Sequence, residues 1–215
     1  MARRRSPLIH SRKSPQQARS EELVGAILEA AIQVLAKEGA HRFTTARVAD
    51  KAGVSVGSLY QYFPNKASIL FRLQSDEWQQ TSDMMRRILE DSRVPPPQRL
   101  RQVVLAFIQS ECDEAAVRGA LDDAAPLYRD APEARKAKSS GKRAIQAFLL
   151  EALPDAAAET RLLAADLLTA TLSGVGKDFS ARPRSAADVN TFAAGLADML
   201  CAYLESLRTG SAARL

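Results

Sequence analysis

FTTARVADKAGVSVGSLYQYFPN, residues 43–65, holds two short helical patterns joined by a tight turn at Ala52-Gly53-Val54-Ser55. Thr44 is placed to cap the first pattern, which runs to about Ala52 with Val48 and Ala49 on its inward side. Gly53 permits the turn and Val54 plugs the hinge. Ser55 is placed to cap a second pattern from Val56 to Phe63, which Pro64 stops. Two helices in this order form a helix-turn-helix, a device that lays its second helix in the major groove of duplex DNA.

The residue types along that second helix suit the task. Ser55 can accept from the free amides of the first turn or donate to a phosphate, at a helix end where an anion is favoured. Val56 and Gly57 occupy the first turn, the part of such a helix that meets base edges. Val56 suits a thymine methyl, and Gly57 lets the backbone approach closely. Ser58 and Gln61 supply polar groups for bases, while Leu59 and Phe63 read as core. Ala46 and Val56 are apolar at base-reading positions, which leaves few direct hydrogen bonds and gives DNA shape a part in specificity.

Charge divides along the chain in the same place. Residues 1–66 carry eleven of the 30 Lys and Arg and five of the 25 acids, a net of +6; the remaining 19 bases and 20 acids give −1. A basic excess confined to the helix-turn-helix end is the footprint of a polyanion-binding segment. Residues 1–18 lack periodicity and read as a disordered basic arm. Two roles are open to its Arg3, Arg4, Arg5, Arg12 and Lys13: lying in a minor groove, or forming a solvated tail.

Working outward, the spacing predicts a helix from Ser20, as cap, to Lys37, ended by Gly39, with Leu23, Ile27, Ala30, Ala31, Val34 and Leu35 inward. Asn65 would cap a long helix over 66–91, a rod of roughly 39 Å. After Pro95-Pro96-Pro97, helices are expected near 97–114, 116–128, 132–152, 157–180 and 186–207. The fold class is all-α: a three-helix helix-turn-helix DNA-binding head over 19–65, and a larger helical body over 66–215. The last two helices carry more apolar surface than one buried stripe needs, including Leu162, Leu163, Leu167, Met199 and Leu207, which points to a partner. Arg118, Asp122 and Asp123 read as solvated.

The segment FTTARVADKAGVSVGSLYQYFPNKASIL resembles the N-terminal DNA-binding domain of the TetR/AcrR family of one-component bacterial regulators, over about residues 22–73. The resemblance implies that Tyr60 and Tyr62 contact phosphates or thymine methyls, that Lys66 clamps a phosphate, and that Thr45 and Arg47 anchor the flanking backbone. It implies a homodimer pairing its last two long helices as a four-helix bundle. It also implies a pocket for a small, partly apolar effector, with Trp78, Met85, Phe107, Ile108, Cys112, Tyr128 and Phe148 as candidate lining. The expected partners are therefore double-stranded DNA, a second copy and an effector, in a repressor released from a palindromic operator. Activation and a DNA-binding role without small-molecule input stay open.

No enzyme is expected. The two histidines, His10 and His41, belong to no nucleophile-base set, and there is no phosphate loop. Cys112 and Cys201 fit no metal spacing and read as free thiols of a reducing compartment; no metal or cofactor is called for. No apolar run reaches about 18 residues, and no signal peptide is seen, so no membrane partner and a cytoplasmic location are expected.

Overall fold

Caps and breakers set the helix ends. The structure, a computed structural model, describes residues 18–131 and 140–212. Every regular element among them is helical: α1 (Ala18–Arg42), α2 (Thr45–Lys51), α3 (Val56–Tyr62), α4 (Lys66–Leu89), α5 (Pro96–Asp113), α6 (Ala115–Ala124) with a 3-10 turn (Ala125–Leu127), α7 (Ser140–Ala152), α8 (Ala158–Ser180) and α9 (Ala186–Ala212). The basic arm, apart from Ala18, and residues 132–139 at the start of the expected helix 132–152 lie outside the described residues.

Local chemistry explains the ends. Gly39 takes φ 72°, ψ 173°, a conformation that interrupts α1 and that a side chain would resist. Since α1 is helical from Ala18, Ser20 lies inside it and is not its cap. After α2, Gly53 takes φ 68°. The amides of Gly53 and Val54 then donate to the carbonyls of Asp50 (3.1 Å) and Ala49 (3.0 Å), closing the helix with a Schellman pair. Phe63 is extended at φ −119°, ψ 109°, as a residue before proline must be. Asn65 and Ser68 cap α4: the Ser68 amide donates to Asn65 Oδ1 at 2.9 Å.

The chain divides into two compact units, Met1–Glu77 with Ala116–Lys138, and Trp78–Ala115 with Ser139–Leu215. In the first, Ile27, Leu35, Phe43, Val48, Leu59 and Phe63 are fully buried, so α1–α3 close around one apolar centre. Its α6 segment adds a polar seam. Arg118 and Glu77 pair at 2.9 Å with both side chains mostly buried, so Arg118 is not the solvated residue expected; Asp122 and Asp123 are exposed. The Tyr128 hydroxyl lies 3.2 Å from Gln74 Oε1 and 3.1 Å from the Leu121 carbonyl, and burial pushes its pKa up.

In the second unit α5 is the central rod, packed against α7, α8 and α9. Its Leu100, Val104, Phe107 and Ile108 join Phe148, Leu168, Leu172 and Leu200 in one core. At the α5–α8 crossing a Cβ on Gly176 would come within 2.9 Å of Phe107 and 3.0 Å of Glu111, so any larger residue would push those side chains aside. Arg99, 1% exposed, lies within this unit. It donates to the carbonyl of Leu89 at 2.5 Å and pairs with Glu151. Its guanidinium stands 5.5 Å from the centre of the Phe148 ring.

Candidate nucleic-acid interface

Ser55 builds the start of α3. Its Oγ accepts from the Ser58 amide at 3.0 Å and lies 2.8 Å from Ser58 Oγ, so the first turn carries two hydroxyls side by side. The helix then sorts its residues by face. Leu59 is buried within the head. Val56 and Tyr60, each 40% exposed, stand outward with exposed Gly57 and Gln61. Thr45, the first residue of α2, places its Oγ1 3.1 Å from the Tyr60 hydroxyl. That contact ties the phenol to the start of α2 and makes one hydroxyl-bearing ridge from two helices. Lys66 is exposed at the first residue of α4, where the helix dipole disfavours a cation.

Gly57 has no reason within the chain to be glycine. Its φ is not positive, and an added Cβ would meet only Ser55 Oγ at an ordinary 3.7 Å. Glycine inside a helix costs roughly 0.5–1 kcal/mol relative to alanine. Gly57 thus leaves bare backbone on the exposed face of α3.

Two residues expected on this face are placed elsewhere. Tyr62 is only 8% exposed and falls on the buried side with Leu59. Three residues past Leu59, it lies at the edge of the buried face, and packing within the head closes over it. Arg47 pairs with Glu38 and donates to the Arg42 carbonyl at 3.2 Å, so its charge is engaged by the end of α1. The Thr45–Tyr60 contact was not legible beforehand, since neither residue signals the other across the turn.

Five of the seven candidate pocket residues fall in one core. Met85, Phe107, Ile108 and Phe148 are core of the second unit, with Cys112 packed against them. Trp78 is half-buried, and Tyr128 belongs to the first unit. Burial pushes the Cys112 thiol up. Phe148 alone of the seven lines a cleft of about 420 Å³ between the start of α5, α7 and α9. The sequence held one signal for this neighbourhood. Arg99 lies four residues before Val103 and eight before Phe107, a cation on an apolar stripe, and such a cation needs a buried partner. Among the described residues, no His, Cys, Asp and Glu cluster could hold a metal, and no helix is long and apolar enough to cross a membrane.

Comparison with known proteins meets this geometry at both ends. Residues 27–73 match the bacterial regulatory proteins of the tetR family, and residues 95–207 match the tetracyclin repressor-like C-terminal domain. The fatty acid metabolism regulator protein of Bacillus subtilis is 34% identical over 65 residues, 30% of this chain and 34% of that protein. The nucleoid occlusion factor SlmA of Vibrio campbellii is 39% identical over 85 residues, 38% of this chain and 43% of that protein. The chain thus matches less than half the length of these curated relatives. The crystal structure of the transcriptional regulator FadR from Bacillus subtilis in complex with stearoyl-CoA superposes with a TM-score of 0.68 at 18% identity, covering 83% of this chain and 97% of that one, a likeness of fold. With its capped helix-turn-helix, its outward α3 face and a C-terminal match across more than half its length, the chain belongs to the tetR family of bacterial regulatory proteins.

Proposed function

We propose that the chain is a cytoplasmic, dimeric transcriptional repressor that holds a near-palindromic operator through α3 and is released by a small, partly apolar effector. The observation that carries this is the outward face of α3, where Val56, Gly57, Tyr60 and Gln61 are exposed beside the Ser55–Ser58 and Thr45–Tyr60 hydroxyl pairs. Thr45, Ser55, Tyr60 and Lys66 supply phosphate contacts, while Val56, Gly57, Ser58 and Gln61 meet base edges. Tyr62 acts from below by fixing the angle of α3, and Arg47 by fastening α2 to α1.

The dimer is supported by Leu162, Leu163 and Leu167 on α8 and Met199 on α9, which are from 42% to 63% exposed. Apolar surface of that kind on two consecutive long helices is what a second copy would cover. A two-fold pair presents its recognition helices about one turn of DNA apart, roughly 34–36 Å. Effector release needs only differential affinity; a coupling of about 1–3 kcal/mol loosens operator binding roughly 5- to 150-fold. That a solved relative is described in complex with stearoyl-CoA supports an effector with apolar character.

Selection of bound sequences from a random DNA pool tests the proposal. A palindromic consensus is expected, with Gln61→Ala eroding preference at a base position by about 1–3 kcal/mol. Lys66→Ala is expected to weaken all duplexes alike and to lower the salt slope by about one. Recovery of no consensus, or of an asymmetric half-site alone, would sink it. The likeness to a nucleoid occlusion factor favours one second reading, a DNA-binding factor without small-molecule input. Operator affinity unmoved by any amphipathic compound that binds the body would select that reading.

A further inference from the structure

The cleft in the second unit opens at the start of α5, where the chain runs through Pro95, Pro96 and Pro97. Leu100, Phe148 and Leu204 are buried and form an apolar floor, and Pro97, Ala152 and Pro154 form the walls. A volume of about 420 Å³ lies in the range of small-molecule sites. The half-buried Cys201 belongs to the same lining, and its thiol donates to the Pro97 carbonyl at 3.7 Å.

Each charged side chain on this lining is already engaged. Glu151 pairs with the fully buried Arg99. Arg208 is held by Glu205 through two bonds, Nε to Oε2 at 3.0 Å and Nη2 to Oε1 at 2.8 Å. Asp155 has a partner of its own. The helix end is closed as well. A helix start ordinarily offers free amides to an anion. Here Pro95, Pro96 and Pro97 carry no N–H, and the amides of Gln98 and Arg99 both donate to the Pro95 carbonyl, at 2.9 and 3.1 Å. A carboxylate or phosphate entering the cleft would find no free amide, and an ammonium would find no carboxylate lacking a partner. Either ion would give up water without a counter-charge in return. An uncharged molecule escapes that loss and gains by covering the apolar floor.

We propose that this cleft binds an uncharged, mainly apolar small molecule, seated on Leu100, Phe148 and Leu204 beside the Cys201 thiol. The seat has a fixed shape, because the buried Arg99 guanidinium stands 5.5 Å from the centre of the Phe148 ring. Molecules that share one tail are therefore separated by their heads, with both signs of charge disfavoured. In the proposed repressor such an occupant is the effector. This consequence rests on the proposed release by an effector; the binding itself does not.

Calorimetry on the full chain without DNA tests the choice of head, using octanol, octanoate and octylammonium at neutral pH and below their aggregation concentrations. Octanol is expected to bind once per chain, and each ion roughly tenfold more weakly or worse. Alkylation of the wild-type chain by iodoacetamide, followed at each cysteine by mass spectrometry, tests the place. Octanol is expected to slow the reaction of Cys201 and to leave that of Cys112, outside the cleft, unchanged. Ala152→Trp, which fills the cleft, is expected to abolish binding; should that variant misfold by circular dichroism, protection of wild-type Cys201 decides. No binding of octanol, either ion binding as tightly as octanol, or octanol binding without protection of Cys201 overturns the proposal. If octanol binds as described while operator affinity stays unchanged, the site stands and its regulatory role falls. If octanol releases the operator equally from wild type and from Ala152→Trp, the effector reading stands and this site falls.

Discussion

The outward face of α3 and the buried end of α5 put polar groups to opposite uses. On α3, hydroxyls, an amide and a bare backbone stand in solvent, and the helix is held by caps within three residues of its start. At α5, Arg99 is sealed from solvent and ties three helices together through Leu89, Glu151 and Phe148. The first arrangement leaves interaction capacity unspent for a partner; the second consumes it in holding the fold. Substitutions in the two regions should therefore separate cleanly, one set acting on DNA affinity and the other on stability.

The largest effect on folding is expected at Arg99. Arg99→Met leaves the Leu89 carbonyl without its donor and Glu151 without its counter-ion, a loss of about 3 kcal/mol or more by chemical denaturation. Operator affinity per folded molecule should hardly change, because the α3 face is untouched. A variant as stable as wild type would break the contrast, since the buried guanidinium would then be dispensable.

Gly57→Ala should move the two properties in opposite directions. Folding stability rises by about 0.5–1 kcal/mol, because a helical glycine is replaced where space is open. Operator affinity falls roughly tenfold, about 1.4 kcal/mol, because the new methyl group stands where the duplex must approach. Equal affinity for the operator would show that glycine there serves no close contact.

Ser55→Ala sharpens the comparison, since Ser55 serves both ends. Loss of its bond to the Ser58 amide removes about 1 kcal/mol from the head. It also deprives the α3 start of one hydroxyl, so affinity and stability should fall together in parallel titrations. The smallest effect concerns pH. The amide and hydroxyl of Ser185 donate to Asp188 and hold its carboxyl below the ordinary 3.8. A carboxyl lowered on folding adds stability above its unfolded value, and that contribution is lost as pH falls through the lower folded one. Asp188→Asn should therefore flatten the acid side of the stability profile below pH 3.8 and change little at neutral pH.

Much of the head could be read in advance because its signals act over a few residues. Thr44, Gly53, Ser55, Pro64 and Asn65 mark helix ends through bonds to groups at most five positions away. The outward placing of Val56, Gly57 and Gln61 follows from the same period that buries Leu59. Tyr62 and Arg47 escaped this logic. A tyrosine one position past an exposed glutamine and three past a buried leucine can serve either face, and an arginine on a short helix takes whichever carboxylate the neighbouring helix offers. The body was legible in its longer described helices and in the apolar excess of α8 and α9, where periodicity runs long enough to declare itself.

The sequence by itself determined the caps at Thr44, Ser55 and Asn65, the turn at Gly53 and the outward face of α3, because caps, breakers and helical period are properties of neighbours along the chain. Tertiary structure alone decided that Tyr62 turns in, that Arg47 meets Glu38, that Arg118 meets Glu77, and that a cleft opens beside Glu151. The reason lies in distance along the chain. Arg99 and Glu151 are 52 residues apart, and no local pattern can state which distant side chain will satisfy a buried charge until packing brings the two together.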